Sequence, residues 1–364
     1  MNNKANIKNL TDKDFFELLQ SQKQPGYRAE QIRIALFKHK VSEFEQITNI
    51  PKSFRDYLST HYEINSLKLS IYRQSRDGSI KFLFDLVDGN SIEAVYMPWY
   101  DNDVDDVIRE TLCISTMAGC SVNCAFCATG KIGFKRNLEV AEIVDQIIEV
   151  ERILGTKLTN IVMMGMGEPL LNYNNSIRAL EILTDPNYEM FSRKKITLST
   201  SGIAPRIKQF AHSPRPVKLA ISLHATDDRT RDLIMPINRS FNLSVLLESV
   251  EFYYKTTKMP IMYEYILFDG INDTKEDIKR LIKIARRVPS RVNIIPFNDI
   301  SFTNPQGFAA TLKPSSSEKM QWFANELRSM DIPVFVRDTF GGDIEGACGQ
   351  LALSDKLLKL KEIV

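Results

Sequence analysis

Thr111-Leu-Cys113-Ile-Ser-Thr-Met-Ala-Gly-Cys120-Ser-Val-Asn-Cys124-Ala-Phe-Cys127 opens the half of the chain whose reading decides the fold. Thr111–Thr116 reads as a strand that ends in a cysteine-rich loop. From there strands and helices alternate. Strands are expected at Thr111–Thr116, Asn160–Met164, Ile196–Thr200, Val217–Leu223, Ile261–Phe268 and Val292–Pro296, with helical periodicity over Val140–Leu154, Val245–Tyr254 and Lys275–Arg287 between them. Asp273 with Glu276, and Ser315 with Glu318, have the spacing of helix-start capping boxes. Six βα units in roughly 190 residues predict parallel strands joined by crossover helices. The number falls short of the eight in a closed (β/α)8 barrel, so the expected fold is α/β, an open, partial βα barrel.

Polar and glycine residues gather where these strands should end. The first exit carries Cys120, Cys124 and Cys127, and the second Gly165-Met-Gly167-Glu168-Pro169. The third carries Ser199-Thr-Ser-Gly202 and the fourth Ser222-Leu223-His224. Asp269-Gly-Ile-Asn-Asp273 and Asn298 follow. Ligands of parallel α/β folds bind at the C-terminal ends of the strands, so one shared site is expected there.

The rest of the chain is organised around this core. Residues 12–60 look helical, with apolar stripes at Phe15, Phe16, Leu18, Leu19, then Ile32, Ala35, Leu36, then Phe44 and Ile47. Pro25-Gly26 and Pro51 punctuate them. Gln22 to Arg55 holds seven Lys or Arg against three Glu, which fits either a solvated helix face or a nucleic-acid surface. Ser79–Val87 and Ile92–Met97 read as strands turned by Asp88-Gly89. Asp101, Asp103 and Asp105 imitate the start of a calcium loop, but Asp106 and Leu112 stand where Gly and Glu are required, so an exposed connector is expected. The resulting division is a helical accessory domain at 1–65, RNA-binding where its basic excess forms a nucleic-acid surface, a β-hairpin connector at 66–110, the barrel at 111–300 and a C-terminal extension at 301–364.

Composition bounds the answer. A chain of 364 residues suggests roughly two domains at ~150 residues each. At 43% hydrophobic and 25% charged it is neither disordered nor fibrous. No apolar run approaches the ~18 residues that span a bilayer. Met1–Leu10 is polar, without the apolar segment of a secretory signal, so the expected compartment is the cytoplasm. A net charge of +2 does not announce a nucleic-acid partner; any such footprint must be local. Five cysteines, an odd number, argue against a disulfide framework.

Three thiols spaced C-x3-C-x2-C on one loop can grip one soft metal centre. A structural zinc site needs four ligands, and would have to recruit Cys113, Cys348, His39, His61, His212 or His224. A 4Fe–4S cluster also normally takes four cysteines; with three, one iron stays open. Read as a dinucleotide fingerprint, Gly165-x-Gly167 fails at Leu170. Met163, Met164 and Met166 read as core filler rather than ligands.

The cysteine loop, with Phe126 just before its last cysteine, resembles the radical S-adenosylmethionine (SAM) enzymes. The match extends further. Cys120–Leu138, Met163–Asn172, Ser199–Gly202, Ser222–His224, Met235-Pro-Ile-Asn238, Ala347-Cys348-Gly-Gln-Leu351 and Tyr27–Gln31 resemble the RlmN/Cfr family, which methylates adenine carbons in RNA. The resemblance implies a radical-SAM-type partial barrel, a 4Fe–4S cluster on Cys120, Cys124 and Cys127, and two SAM molecules per turnover. It implies SAM contacts at Gly167, Glu168, Ser199, Ser222, Leu223, His224 and Asn298. It further implies Cys348 as the methyl carrier, Glu93 as the acceptor of the ring proton, and Cys113 as the thiol that releases product by forming a disulfide with Cys348. Adenine carbons are electron-poor and cannot attack a sulfonium methyl, whereas a thiolate can, which is why such chemistry needs a cysteine relay.

The implied substrates are 23S rRNA and tRNA at the adenosine beside the anticodon, with methylation at C2, a flavodoxin- or ferredoxin-like electron donor, and a monomeric protein. Pro169 favours C2 chemistry over the C8 chemistry of the Cfr type, which has Ala after the Glu. Gly342 and Gly346 depart from the family pattern of a second acid and an Ala, a change expected to alter loop packing. Lys131, Lys135, Arg136, Arg193, Lys194 and Lys195 are candidate phosphate contacts near the site loops. Two rival classes are an activase of a glycyl-radical enzyme, which would not need Cys348, and a zinc-stabilised, non-catalytic RNA-binding module.

Overall fold

The computed structural model describes residues 4–100 and 107–354. The calcium-loop resemblance at Asp101–Asp106 lies outside the described residues. The main sheet has ten strands in strict chain order. We label them β1 (Leu67–Gln74), β2 (Ile80–Leu86), β3 (Ser91–Tyr100), β4 (Val107–Cys113), β5 (Asn160–Met163), β6 (Ile196–Thr200), β7 (Lys218–Ser222), β8 (Ile261–Leu267), β9 (Ser290–Pro296) and β10 (Val334–Val336). From β4 to β10 every neighbour is parallel. From β1 to β4 every neighbour is antiparallel. β1 and β10 are the two edges, so the barrel is open.

The alternation of sequence explains this layout. The parallel strands bury both faces and read as apolar runs, Ile261–Leu267 being buried throughout. Helices cover the outside. After α1 (Asp12–Ser21), α2 (Arg28–Arg33) and α3 (Lys52–His61) of the N-terminal module come α4 (Val140–Leu154), α5 (Tyr173–Leu183), α6 (Ala204–Ala211), α7 (Leu243–Thr257), α8 (Lys275–Ala285) and α9 (Ser317–Arg328). Three details differ from the sequence reading. β4 begins at Val107, four residues early, because its exposed first half is held by antiparallel pairing to β3, which apolar periodicity does not register. β10 is a seventh parallel strand, too short at three residues to show a pattern.

The third difference lies at the helix caps, each of which falls one residue later than expected. Thr274 caps α8 with Asp277, and Ser316 caps α9 by accepting from Lys319 N. The displaced residues pair with each other instead: Ser315 Oγ donates to buried Asp273 at 2.7 Å, with Lys319 Nζ 2.8 Å away.

The N-terminal module comprises α1 (Asp12–Ser21), α2 (Arg28–Arg33) continued by a wider turn to Lys38, and α3 (Lys52–His61). Thr11 and Asp14 form a capping box at the start of α1, which buries Phe15, Leu18 and Leu19 and leaves Phe16 outside. A buried ion pair docks the module on the barrel. Lys8 Nζ meets Asp145 on α4, and both side chains are at most 1% exposed. Asp145 also accepts from Ser66 N at 3.0 Å and Ser66 Oγ at 2.6 Å. Asn9 Oδ1 accepts from Ala141 N at the start of α4, and Arg178 on α5 donates to the Asn9 and Leu10 carbonyls.

The basic excess of 22–55 is largely spent internally. Lys38 and Lys40 reach Glu189 and Glu151 of the barrel, Arg33 pairs with Asp12, and Arg28 and Arg55 donate to backbone carbonyls. Lys8→Met leaves the Asp145 carboxylate buried without its cation. We expect it to cost ~3–5 kcal/mol and to make residues 4–64 cleavable by dilute protease before the barrel melts. A single unfolding transition at the wild-type midpoint would contradict this.

Candidate active site

The strand exits of β4 to β10 converge on one chamber. Cys113, Cys120, Cys124, Cys127 and Cys348 all line it, as do Gly167, Glu168, Ser199, Ser222, His224 and Asn298. Two residues named from sequence do not. Leu223 is wholly buried in the core, and it is its carbonyl that faces the site network, accepting from Arg231 Nε at 3.1 Å. Glu93 lies on the same alternating face of β3 as the chamber-lining Val95 and Met97, but sits beneath the C-terminal segment. There its Oε2 accepts from Leu353 N at 3.1 Å and Oε1 lies 3.6 Å from Lys81 Nζ. Met163 and Met164 line the chamber; only Met166 is purely core.

The cysteine loop is shaped by close backbone packing. Gly119 has φ +76°, and a Cβ there would lie 1.8 Å from the Gly133 carbonyl, so no other residue fits. Ala125 N donates to the Ile234 carbonyl, and Ala128 N to the Gly349 carbonyl, which joins this loop to the segment carrying Cys348. Burial pushes the Cys120 thiol up to about 12 and the Cys124 thiol well above its usual value, and the neighbouring cysteines add to both. Soft donors held this close repel one another as thiolates, and burial makes Cys120 and Cys124 costly to ionise alone, so the loop suits a cationic centre that stabilises thiolates. All five cysteines are free thiols. Among the described residues no three Cys, His, Asp or Glu side chains converge as ligands of one metal ion. The three thiols share a chamber, as ligands that each take a different iron would.

Neighbouring exits are tied by charged groups that the sequence reading overlooked or used differently. Glu168 Oε2 accepts from Ser201 N and Oγ at 2.6 and 2.7 Å, and Oε1 from Leu170 N at 3.0 Å. Burial nevertheless raises its pKa. A Cβ on Gly167, φ +106°, would meet the Met117 side chain at 2.7 Å, so this exit also requires glycine.

Arg231, fully buried, donates to the carbonyls of Ser201 (2.7 Å), Ser222 (3.1 Å) and Leu223, and to Asn238 Oδ1 (3.0 Å). It stands four and seven residues before Met235 and Asn238, the one sequence cue to its place. Arg337, just beyond β10, pairs with Glu264 of β8 at 3.7 Å and lines the chamber. Burial works against its charge, but Glu264 and the thiols of Cys348 and Cys113 outweigh that and hold its pKa above the usual value.

His224 occupies the left-handed region at φ +53°. Its Nδ1 accepts from Ile266 N at 3.1 Å, which leaves the ring proton on Nε2. Its ring meets Phe126 edge-on at 4.8 Å. Burial, then the charge of Arg231, lowers its pKa to about 3. Asn298 Nδ2 donates to the Cys348 carbonyl at 3.0 Å, and its Oδ1 accepts from Thr339 Oγ1 at 3.2 Å, so this residue holds the cysteine segment. Cys348 is solvent-exposed yet stands inside the chamber; the protein mass around it raises its thiol to about 11. Burial, then Cys348, raises Cys113 to about 12.

The candidate phosphate contacts separate. Lys131 and Lys135 follow the cysteine loop, but Arg136 is taken by Asp88 and Glu142. Arg193, Lys194 and Lys195 precede β6 and lie at the opposite end of the barrel from the exits, because the loop they occupy leads into the strand.

An open parallel sheet whose first exit loop carries three cysteines defines a class, the radical SAM enzymes. The profile of the Radical SAM superfamily matches residues 114–285, and that of the Ribosomal RNA large subunit methyltransferase N-terminal domain matches 5–64. Radical SAM enzymes carry a 4Fe–4S cluster and use SAM, and the donor set described above fits both. The chain is 41% identical over 353 residues to the dual-specificity RNA methyltransferase RlmN of Desulfosudis oleivorans, covering 96% of this chain and 91% of that one. It is 42% identical over 351 residues to a probable dual-specificity RNA methyltransferase RlmN of a Thermotoga species, covering 95% and 98%. The crystal structure of a radical SAM methyltransferase from Sphaerobacter thermophilus superposes with a TM-score of 0.85 at 37% identity, covering 95% and 99%. The chain belongs to the RlmN family of radical SAM RNA methyltransferases. Among the described residues no helix is long and apolar enough to cross a membrane.

The state of His224 gives a test. Its pKa is lowered on folding, so the unfolded chain takes up the extra proton, and stability falls as pH drops from about 6.5 toward 3. His224→Asn keeps an acceptor for Ile266 N and tolerates the positive φ. We expect urea unfolding of wild type and variant to run parallel above pH 6.5 and to diverge below it, wild type losing more. Parallel behaviour down to pH 4 would show that His224 is not held neutral.

Proposed function

We propose that this chain methylates carbon 2 of an adenine in 23S rRNA and of the adenosine beside the anticodon in tRNA, through a methyl group carried on Cys348. The observation that carries the reading is the placement of Cys348 and Cys113 in the same chamber as the three-cysteine loop. Cys120, Cys124 and Cys127 hold the cluster, one iron each. Gly167, Glu168, Ser199, Ser222, His224 and Asn298 surround SAM, with Leu223 contributing backbone only. When bound, cluster and SAM supply a carbon-centred radical able to take hydrogen from a methyl group.

The chain's own residues do the rest. The Cys348 thiolate takes a methyl group from SAM and becomes a thioether, with Arg337 as the nearby cation that favours the thiolate. Its carbon, short of one hydrogen, bonds to adenine C2 and links protein to RNA; the odd electron this leaves on the ring would pass back to the cluster, which would have given one up to cleave SAM. Glu93 removes the ring proton, which requires Leu353 N to give up its bond to that carboxylate. The Cys113 thiolate then attacks the Cys348 sulfur. The carbon–sulfur bond breaks, its electron pair returns to the carbon, a proton completes the methyl group, and a disulfide remains for a thiol reductant to open.

The target base leaves its stack to enter the chamber, as other base-modifying enzymes require. Lys131 and Lys135, near the exits, are the basic residues best placed for phosphate. The electron donor is flavodoxin- or ferredoxin-like, the protein acts as a monomer, and its compartment is the cytoplasm.

Purified enzyme with SAM, a reductant and unmodified 23S rRNA fragment should yield 2-methyladenosine by nucleoside mass spectrometry; 8-methyladenosine as main product would put the chain with the Cfr type. Cys113→Ala should copurify with RNA that survives a denaturing gel, and Cys113→Ala/Cys348→Ala should not. Normal turnover by Cys113→Ala would remove Cys113 from the relay.

A further inference from the structure

The segment that carries Cys348 leaves β10 at one edge of the sheet and crosses to the antiparallel wing beyond the other side of the barrel. The β1–β2 turn meets it there. Ser75 Oγ donates to Asp343 Oδ1 at 2.5 Å, Arg76 N to Asp343 Oδ2 at 3.3 Å, and Gly341 N to Asp77 Oδ2 at 2.7 Å. The turn is also braced by its own bonds. Asp77 Oδ1 accepts from Ser79 N at 2.8 Å, and Gly78 sits at φ +85°, a conformation that favours glycine. Beside these bonds Phe340 packs on Trp99 of β3, ring centroids 4.9 Å apart.

On the far side of Cys348 the segment is fixed again. Gln350 Nε2 donates to the Asp299 carbonyl and Thr129 Oγ1 to the Leu351 carbonyl. Between the two anchors lie Glu345 at φ +53°, Gly346, and Gly349 at φ +84°.

We infer that the Ser75–Gly78 turn is a clasp that positions the methyl-carrier segment, with Asp343 and Ser75 as positioning residues for Cys348. The inference rests on the function proposed above. That function asks one sulfur to meet three partners in turn: a methyl donor, an adenine carbon and Cys113. A segment free along its whole length would rarely place the sulfur within bonding reach of any of them. A segment clamped at both ends, and held between them at the Cys348 and Gly349 carbonyls by Asn298 Nδ2 and Ala128 N, confines the Cys348 sulfur to a small region. The clasp is polar, with Asp343, Arg76 and Asp77 exposed and only Ser75 buried, so its weight falls on placement more than on folding. The Asp343 carboxyl, held below its usual pKa first by the Ser75 hydroxyl, is ionised and accepts both bonds throughout the working range of pH.

The test is a double-mutant cycle on the full-length holoenzyme with an RNA substrate. Asp343→Ala, Ser75→Ala and the double variant are compared for methylated adenine formed per 5′-deoxyadenosine released. Loss of the clasp should leave SAM cleavage running and lower that ratio up to ~10-fold, since misplacement of about 1 Å can cost as much as 10²-fold. The double variant should be little worse than Asp343→Ala, because the Ser75–Asp343 bond is already lost in that single variant. Asp343→Asn, which keeps an acceptor, should recover most of the ratio. An unchanged ratio in Asp343→Ala, or additive losses in the double variant, overturns the clasp.

A second readout separates this from failure of the functional reading. If wild type methylates neither Cys348 nor RNA, that reading fails and the clasp is judged on labelling alone. Iodoacetamide should then label Cys348, followed by peptide mass spectrometry, several times faster in Asp343→Ala than in wild type. Equal rates overturn the clasp.

Discussion

The buried guanidinium of Arg231 is the interaction on which the site depends. Parallel strands deliver their carbonyl ends to one rim of the barrel, and carbonyls that leave the ladder inside the protein need donors. Arg231 donates to Ser201, Ser222 and Leu223 at once and so fixes the exits of β6 and β7. Glu168 reaches from the β5 exit to Ser201 N and Oγ and extends the chain of contacts by one strand. Arg337 with Glu264 does the same between β10 and β8. These charges lie in a shielded interior, where an unmatched one is expensive. Rigid exits are what allow five thiols from two distant parts of the sequence to share a chamber.

Much of this could be read from sequence, and the reasons it could are physical. Helix α4 was legible to the residue because its apolar stripe runs fifteen residues and stops at Gly155, which caps it in the left-handed region. The strand exits were legible because Gly165-Met-Gly167 and Ser199–Gly202 interrupt apolar runs with residues that only a backbone close approach or a ligand explains. The cysteine loop was legible from spacing, and its family from the order of motifs along the chain.

What stayed hidden has a common cause. Arg231, Arg337 and Glu264 are single charges whose meaning comes from partners on other strands, so no local window contains the signal. Glu93 was placed in the site by motif, and the structure sets it under Leu353, because strand alternation gives a face but not what covers it. The capping pairs Asp273/Glu276 and Ser315/Glu318 had the right spacing, yet Thr274 and Ser316 do the capping, since either neighbour satisfies the pattern. Arg193–Lys195 were assigned to the site by residue type, whereas their position before β6 puts them at the other end of the barrel.

The central claim is that the methyl group reaches RNA by way of Cys348. The most direct measurement follows the hydrogens. Enzyme is incubated with SAM bearing a trideuterated methyl group, and the modified adenosine is weighed after several turnovers. Carriage on Cys348 removes one deuterium before the carbon joins adenine, and the last hydrogen arrives as a proton from water or the ring. The account predicts a product methyl group with two deuterium atoms and one protium. A product that retains all three deuterium atoms would mean direct transfer to RNA and would contradict the account.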